Sequence, residues 1–206
     1  MDTTWLMGLT GFALAIAATP GPNNTLAAAV AAAHGIGRTM PLLVGIAVGV
    51  SAIMFLGTAF GASVVADPLV AAALKWVGVL YLLWLAWQVG NADPLPPTAD
   101  AAGHAGRERP GALQGVLLQA INPKLWLLVS GAVVAYGPGG RQLGPIGLAA
   151  FFALVCGVIT FASVLAWAFL GASVGGRMKS RRAMRAFNLA MALLLVASLI
   201  PIVIES

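Results

Sequence analysis

Six apolar runs, each long enough to cross a lipid bilayer, take up most of this 206-residue chain and leave it few folds to choose from. They fall at approximately 5–33, 41–66, 68–90, 111–137, 144–171 and 184–204. A helix needs about 20 apolar residues to span hydrocarbon. In lipid each backbone amide and carbonyl must be satisfied internally, which makes helices the form such runs take. Composition agrees, with 60% hydrophobic and 8% charged residues and a mean hydropathy of +0.95. A soluble domain is about 25% charged, and this chain has too little polar material to clothe one. The expectation is an all-α membrane protein of six transmembrane helices, forming a single transmembrane domain over 1–206.

The isoelectric point near 10.2 would suit a nucleic-acid partner, but the distribution of charge does not. Five of the eleven basic residues, Arg177, Lys179, Arg181, Arg182 and Arg185, lie in one short stretch between two apolar runs. That is the signature of a cytoplasmic membrane loop, and no basic groove with interleaved aromatics accompanies it. No nucleic-acid partner is expected. The single cysteine, Cys156, sits inside an apolar run. One cysteine rules out a disulfide within the chain, a CxxC motif and a thiolate cluster. No metal or cofactor is expected. Met1-Asp2-Thr3-Thr4 carries an acid and no Lys or Arg, so the first run is expected to be retained rather than cleaved as a secretory signal.

Glycine and proline punctuate the runs at His34-Gly35-Ile36-Gly37-Arg38 with Pro41, at Asp67-Pro68, and at Gly137-Pro138-Gly139-Gly140-Arg141. The one long polar segment, 91–110, holds Pro94, Pro96 and Pro97 and reads as a linker between two three-helix halves, 1–90 and 111–206. His104 lies in it and is assigned no role. The loops after the first, third and fifth spans hold Arg38, then Arg107 and Arg109, then the five basic residues named above. The other side holds Arg141, with Lys75 at the edge of the third span. By the positive-inside rule the linker is cytoplasmic and both termini face outward across a bacterial inner membrane.

Three spans per half is an odd number, so equivalent halves would be inverted, the plan of many secondary transporters. Each half also interrupts its first helix. Span one carries Thr19-Pro20-Gly21-Pro22-Asn23-Asn24 and span four carries Ile121-Asn122-Pro123-Lys124. Pro20 and Pro22 lack amide hydrogens and clash with the turn before them, which should unwind the helix and leave carbonyls unpaired. Unpaired groups persist only where they are buried in protein or line a wet cavity. Asn23 or Asn24 can cap a new half-helix after the break, and Asn122 with Pro123 suits a helix start. Lys124 is the only basic residue deep in a span, at a cost of at least ~2.5 kcal/mol, and must be paired, hydrated or functional. A kink that only shapes the bundle and a lysine that snorkels to an interface are the plain alternatives. Together these residues describe a zwitterion site: Pro20, Gly21, Pro22, Asn23 and Asn24 facing Asn122, Pro123 and Lys124.

At these residues the sequence resembles the LysE/RhtB family of amino-acid exporters. Pro20-Gly21-Pro22-Asn23 resembles the family's PGPN motif. It is followed by Gly35-Ile36-Gly37-Arg38, by the glycine spacing Gly45, Gly49, Gly57, Gly61, and by Leu74-Lys75-Trp76-Val77-Gly78-Val79-Leu80-Tyr81-Leu82. Asn122-Pro123-Lys124, after Gly115 and Leu117-Leu118-Gln119, resembles its NPK motif. The resemblance covers nearly the whole chain and implies export of amino acids or related metabolites, driven by the proton gradient. Asp2, Asp67, Asp93, Asp100, Glu108 and Glu205 all lie in loops, at span ends or at termini, so a cationic substrate would lack a counter-charge within the membrane. A neutral or zwitterionic substrate is therefore expected.

The remaining features have simpler readings. Gly45-x-x-x-Gly49 and Gly57-x-x-x-Gly61 suit close helix packing, within one chain or between the copies of a homodimer. Trp76 and Trp87 fit an interfacial belt, and the basic loop fits anionic lipid. The alternatives are a passive channel or a structural membrane subunit, and less so an intramembrane enzyme. No buried Ser/His pair or paired aspartates support the last, so enzymatic activity is not expected.

Overall fold

The computed structural model describes residues 2–60, 68–91, 111–177, 180–200 and 203. The described residues contain eight α-helices and no strand: α1 (Thr3–Ala18), α2 (Pro22–His34), α3 (Ile36–Phe60), α4 (Pro68–Gly90), α5 (Ala112–Ala120), α6 (Pro123–Tyr136), α7 (Gly144–Arg177) and α8 (Arg181–Ala197). A 3-10 helix, Pro138–Leu143, joins α6 to α7 where the sequence suggested a simple turn. Gly61, Asp67, most of the linker with His104, Arg107 and Arg109, and Lys179 lie outside the described residues, as does the side chain of Lys75.

Local signals set the boundaries. The Asp2 side chain accepts from Trp5 N at 2.7 Å and opens α1, and Ser180 does the same for α8 through Ala183 N; each satisfies a donor that a helix start leaves over. Gly35 takes a positive φ of 77°, a conformation that suits glycine, and reverses the chain between α2 and α3. The expected separator there shrinks to that residue. α3 begins at Ile36 and carries Pro41 within its second turn, where Thr39 Oγ1 donates back to Gly35 O at 2.8 Å.

Helices α3 and the continuous stretch Pro138–Arg177 are each long and apolar enough to cross a membrane. At 1.5 Å per residue α7 runs about 51 Å. Two further candidate spans are bent pairs: α1 with α2 at 51°, and α5 with α6 at 62°. Many large apolar side chains lie on the surface, among them Met7, Leu80, Trp87, Val134 and Leu154. Apolar surface on that scale has no place in water; it belongs against lipid.

The helices pack through small residues. A methyl group at Gly45 would strike Ala112 O on α5, and one at Gly115 would reach Leu42 O at 2.7 Å on α3. Gly57 lies against Val129 on α6. On α7, Gly171 and Gly175 lie against the backbone of Ala28 and Ala32 in α2, while Gly157 faces Ser51 of α3. In lipid no hydrophobic force draws helices together, so such close backbone approach is a main source of association. Gly45, Gly49 and Gly57 are thus engaged within the protomer, and that stripe is not available to a second copy.

Three buried clusters result, the smallest gathering Ala28, Val89 and Met191; the other two are larger. One gathers Leu26, Val30, Leu42, Ile46, Leu82, Leu118 and Leu195; the other gathers Leu9, Ala13, Val50, Met54, Leu125 and Phe152. They meet along α3 between Ile46 and Val50, and along α7 between Cys156 and Val164. The two helix breaks lie at that level.

Candidate functional site

The first break frees the carbonyls at the end of α1, and each of five in succession meets a side-chain donor. Thr19 Oγ1 donates to Ile16 O at 2.9 Å. Asn24 Nδ2 donates to Ala17 O at 2.6 Å and to Thr19 O at 2.9 Å. Ser163 Oγ of α7 donates to Ala17 O at 2.8 Å, and Trp167 Nε1 to Ala18 O at 3.3 Å. Lys124 Nζ reaches across from α6 to Thr19 O at 2.9 Å, Thr19 Oγ1 at 2.8 Å and Pro20 O at 3.4 Å. A proline break in lipid is tolerated when neighbouring side chains satisfy the backbone it releases, and here the donors come from three other helices.

The second break is built in parallel. Pro123 takes the first position of α6 as Pro22 does in α2. Trp126 Nε1 donates to Ala120 O at 2.9 Å, matching Trp167 at the first break. The helix starts differ, however. Asn122 Oδ1 caps α6 by accepting from Lys124 N at 3.2 Å, as the sequence suggested. At α2 the cap position is Gly21, which has no side chain, and Asn23 and Asn24 lie inside the first turn. The expectation that one of them caps α2 is therefore corrected. Asn24 instead turns back to the carbonyls of α1, and Asn23 turns to the other half of the chain. The first-turn amides of α2 keep their partly positive end without a side-chain cap.

The two breaks meet. Asn23 Nδ2 donates to Gln119 Oε1, and Gln119 Nε2 donates to Asn23 Oδ1, both at 3.0 Å. Gln119 is fully buried; its Nε2 also donates to Gly115 O at 3.0 Å, and Asn122 Nδ2 lies 3.3 Å from its Oε1. Gly21 has no Cβ because Lys124 crosses there: an added methyl would lie 2.9 Å from Nζ. The φ of Gly21 is an extended −178°, so the requirement is for space and not for backbone freedom.

A narrow cleft, open to the surface, lies at this junction. Gly21, Pro22, Asn23, Asn24, Asn122 and Lys124 give it a polar wall, and Ile16, Val50, Leu125 and Leu128 an apolar one. Of the eight residues named from sequence, these six line the cleft. Pro20 contributes a carbonyl to Lys124, and Pro123 is buried at the start of α6. Sequence reasoning left out Thr19, Gln119, Thr160, Ser163 and Trp167. Gln119, one of two glutamines in the apolar run before Asn122, was polar enough to notice, but its partner Asn23 was not readable. Ser163 and Trp167 carried no signal, since nothing local says which face of α7 meets the break.

Comparison with known proteins agrees with this architecture. The chain is 35% identical over 190 residues to cysteine/O-acetylserine efflux proteins of Salmonella choleraesuis and Salmonella typhimurium, covering 90% of each chain. A protein of that description from Klebsiella pneumoniae is 30% identical over 128 residues, 62% of each chain. No solved structure matches the chain. Residues 14–202 match the family described as LysE type translocator. The chain is a multi-pass membrane protein and belongs to the LysE type translocator family.

Proposed function

We propose that this protein is a secondary-active exporter of neutral amino acids or related zwitterions across the inner membrane, coupled to the proton gradient. The observation that carries the reading is the meeting of two broken helices at one cleft, with Lys124 and the uncapped start of α2 on the same wall. A carboxylate suits the first-turn amides of α2 and the Lys124 ammonium. An ammonium suits the carbonyls of the first break and the amide oxygens of Asn23 and Asn122. The relatives' names support the substrate class, since cysteine and O-acetylserine are both neutral zwitterions.

The proposed transporter has six spans in two inverted halves, 1–90 and 111–206, joined by a cytoplasmic linker at 91–110, with both termini outward. Two helix breaks of similar design, bent by 51° and 62°, support that symmetry. The two larger buried clusters meet at the level of the cleft, which suits alternating access, one cluster on each side of the substrate. Uptake into proteoliposomes tests the reading: saturable uptake that needs an imposed proton gradient supports it. Flux that neither saturates nor responds to the gradient would indicate a passive channel.

A further inference from the structure

The ammonium of Lys124 has three acceptors, Thr19 O, Thr19 Oγ1 and Pro20 O, at 2.9, 2.8 and 3.4 Å, and all belong to the first break. An ammonium offers three N–H donors and no acceptor, so this set satisfies it. Each acceptor is a neutral oxygen, and two are backbone carbonyls at the negative end of α1. The helix breaks at Pro20–Pro22, so the Thr19 and Pro20 carbonyls are left to side-chain donors, Lys124 on both and Asn24 Nδ2 on Thr19 O as well. The result is a nest for a primary ammonium, and the ammonium in it comes from the other half of the chain.

An α-amino acid carries the same group. The nest adjoins the uncapped start of α2, since Gly21 separates the Lys124 ammonium from that first turn with no room for a methyl. A molecule whose ammonium entered the nest would have its carboxylate, two bonds away, beside the α2 amides and the displaced lysine. We propose that the nest is the substrate's amino-group site, that Lys124 is a tethered competitor for it, and that substrate enters by displacing the lysine ammonium. One cation replaces another, so the carbonyl end of α1 is never left without a donor. The displaced lysine exchanges neutral oxygens for the substrate carboxylate. This exchange rests on the reading of the cleft as an amino-acid site, and it explains how a lysine in a membrane helix both seals the break and yields to cargo.

The test replaces the tether with a soluble amine. Lys124→Ala removes three carbons and the ammonium, which propylammonium restores. In purified Lys124→Ala protein, propylammonium should raise the melting temperature by a few degrees and saturably, as a ligand of the folded state does. Tetramethylammonium, which has no N–H, should not, and the parent protein should respond to neither. A mixture of cysteine, serine, threonine and homoserine should shift the propylammonium titration to higher concentration. If the variant folds poorly, better recovery when purified in propylammonium supports the nest equally. No effect of propylammonium on recovery or melting would overturn the proposal. A propylammonium response that the amino acids leave unmoved would overturn the exchange; transport of any of them by the parent protein would then show that the cleft still takes amino acids.

Discussion

Asn23 and Gln119, 96 positions apart, hold each other by both ends of their amides at 3.0 Å. Among the described residues this is the pair whose two side-chain hydrogen bonds tie one broken helix to the other reciprocally. The pair ties α2 to α5 beside the cleft, which Asn23 itself lines.

Gln119→Leu keeps the volume and removes the amide, leaving Asn23 without its partner. Interhelical hydrogen bonds in membranes average about 0.6 kcal/mol, and a stranded buried amide costs about 1–3 kcal/mol. The variant should lose stability by an amount in that range and melt at a lower temperature. Asn23→Ala combined with Gln119→Leu should lose less than the two single losses added, because both remove one interaction. Melting curves of the three variants in one detergent check both statements.

Gly21→Ala introduces a methyl 2.9 Å from Lys124 Nζ and 3.1 Å from its Cδ. The extended backbone there accepts any residue, so the fold should persist while the lysine is pushed from Thr19. Transport should fall at least about tenfold, an effect of ~1.4 kcal/mol, with expression near the parent level. Gly11→Ala, whose methyl would meet nothing within 4 Å, should leave both unchanged or gain slightly in helix stability.

Gly171→Ala sets a methyl against Ala28 O, and Gly45→Ala sets one against Ala112 O. Both contacts are with backbone, which cannot rotate away. Overpacking of this kind costs about 1–3 kcal/mol, so both proteins should show lower yield and lower melting temperature. Equal yields would mean that the helices separate without penalty.

The orientation rests on the distribution of basic residues and has its own check. Reporters fused after Ser206 should be active only when the reporter works outside the cytoplasm, and reporters inserted in 91–110 only when it works inside. Reversing the charge of Arg181, Arg182 and Arg185 together should weaken that asymmetry.

Much of this was legible in the sequence, because a membrane reduces folding to a question of length and apolarity. The two breaks were legible for a similar reason: Pro20, Gly21, Pro22 and Pro123 act on the backbone wherever they stand. What each break does with its released groups was less legible. Asn23 and Asn24 are good caps by residue type, yet Pro22 already begins the helix, so both fall inside it and serve distant partners. Ser163, Trp167 and Gln119 contribute through packing, since only the crossing of α7 and α5 with the first break makes them donors to it. Of the second Gly-x-x-x-Gly pair, Gly57 packs on Val129 within the chain.

The central claim is that the cleft between the two breaks binds an amino acid. Uptake of radiolabelled cysteine and O-acetylserine into proteoliposomes under a proton gradient, for the parent protein, Lys124→Ala and Asn122→Ala at equal protein content, tests it most directly. The account predicts saturable, gradient-dependent uptake of at least one of the two by the parent protein and a loss of about tenfold or more in both variants. Transport by the variants at the parent rate, or no uptake of either compound by the parent protein, would contradict it.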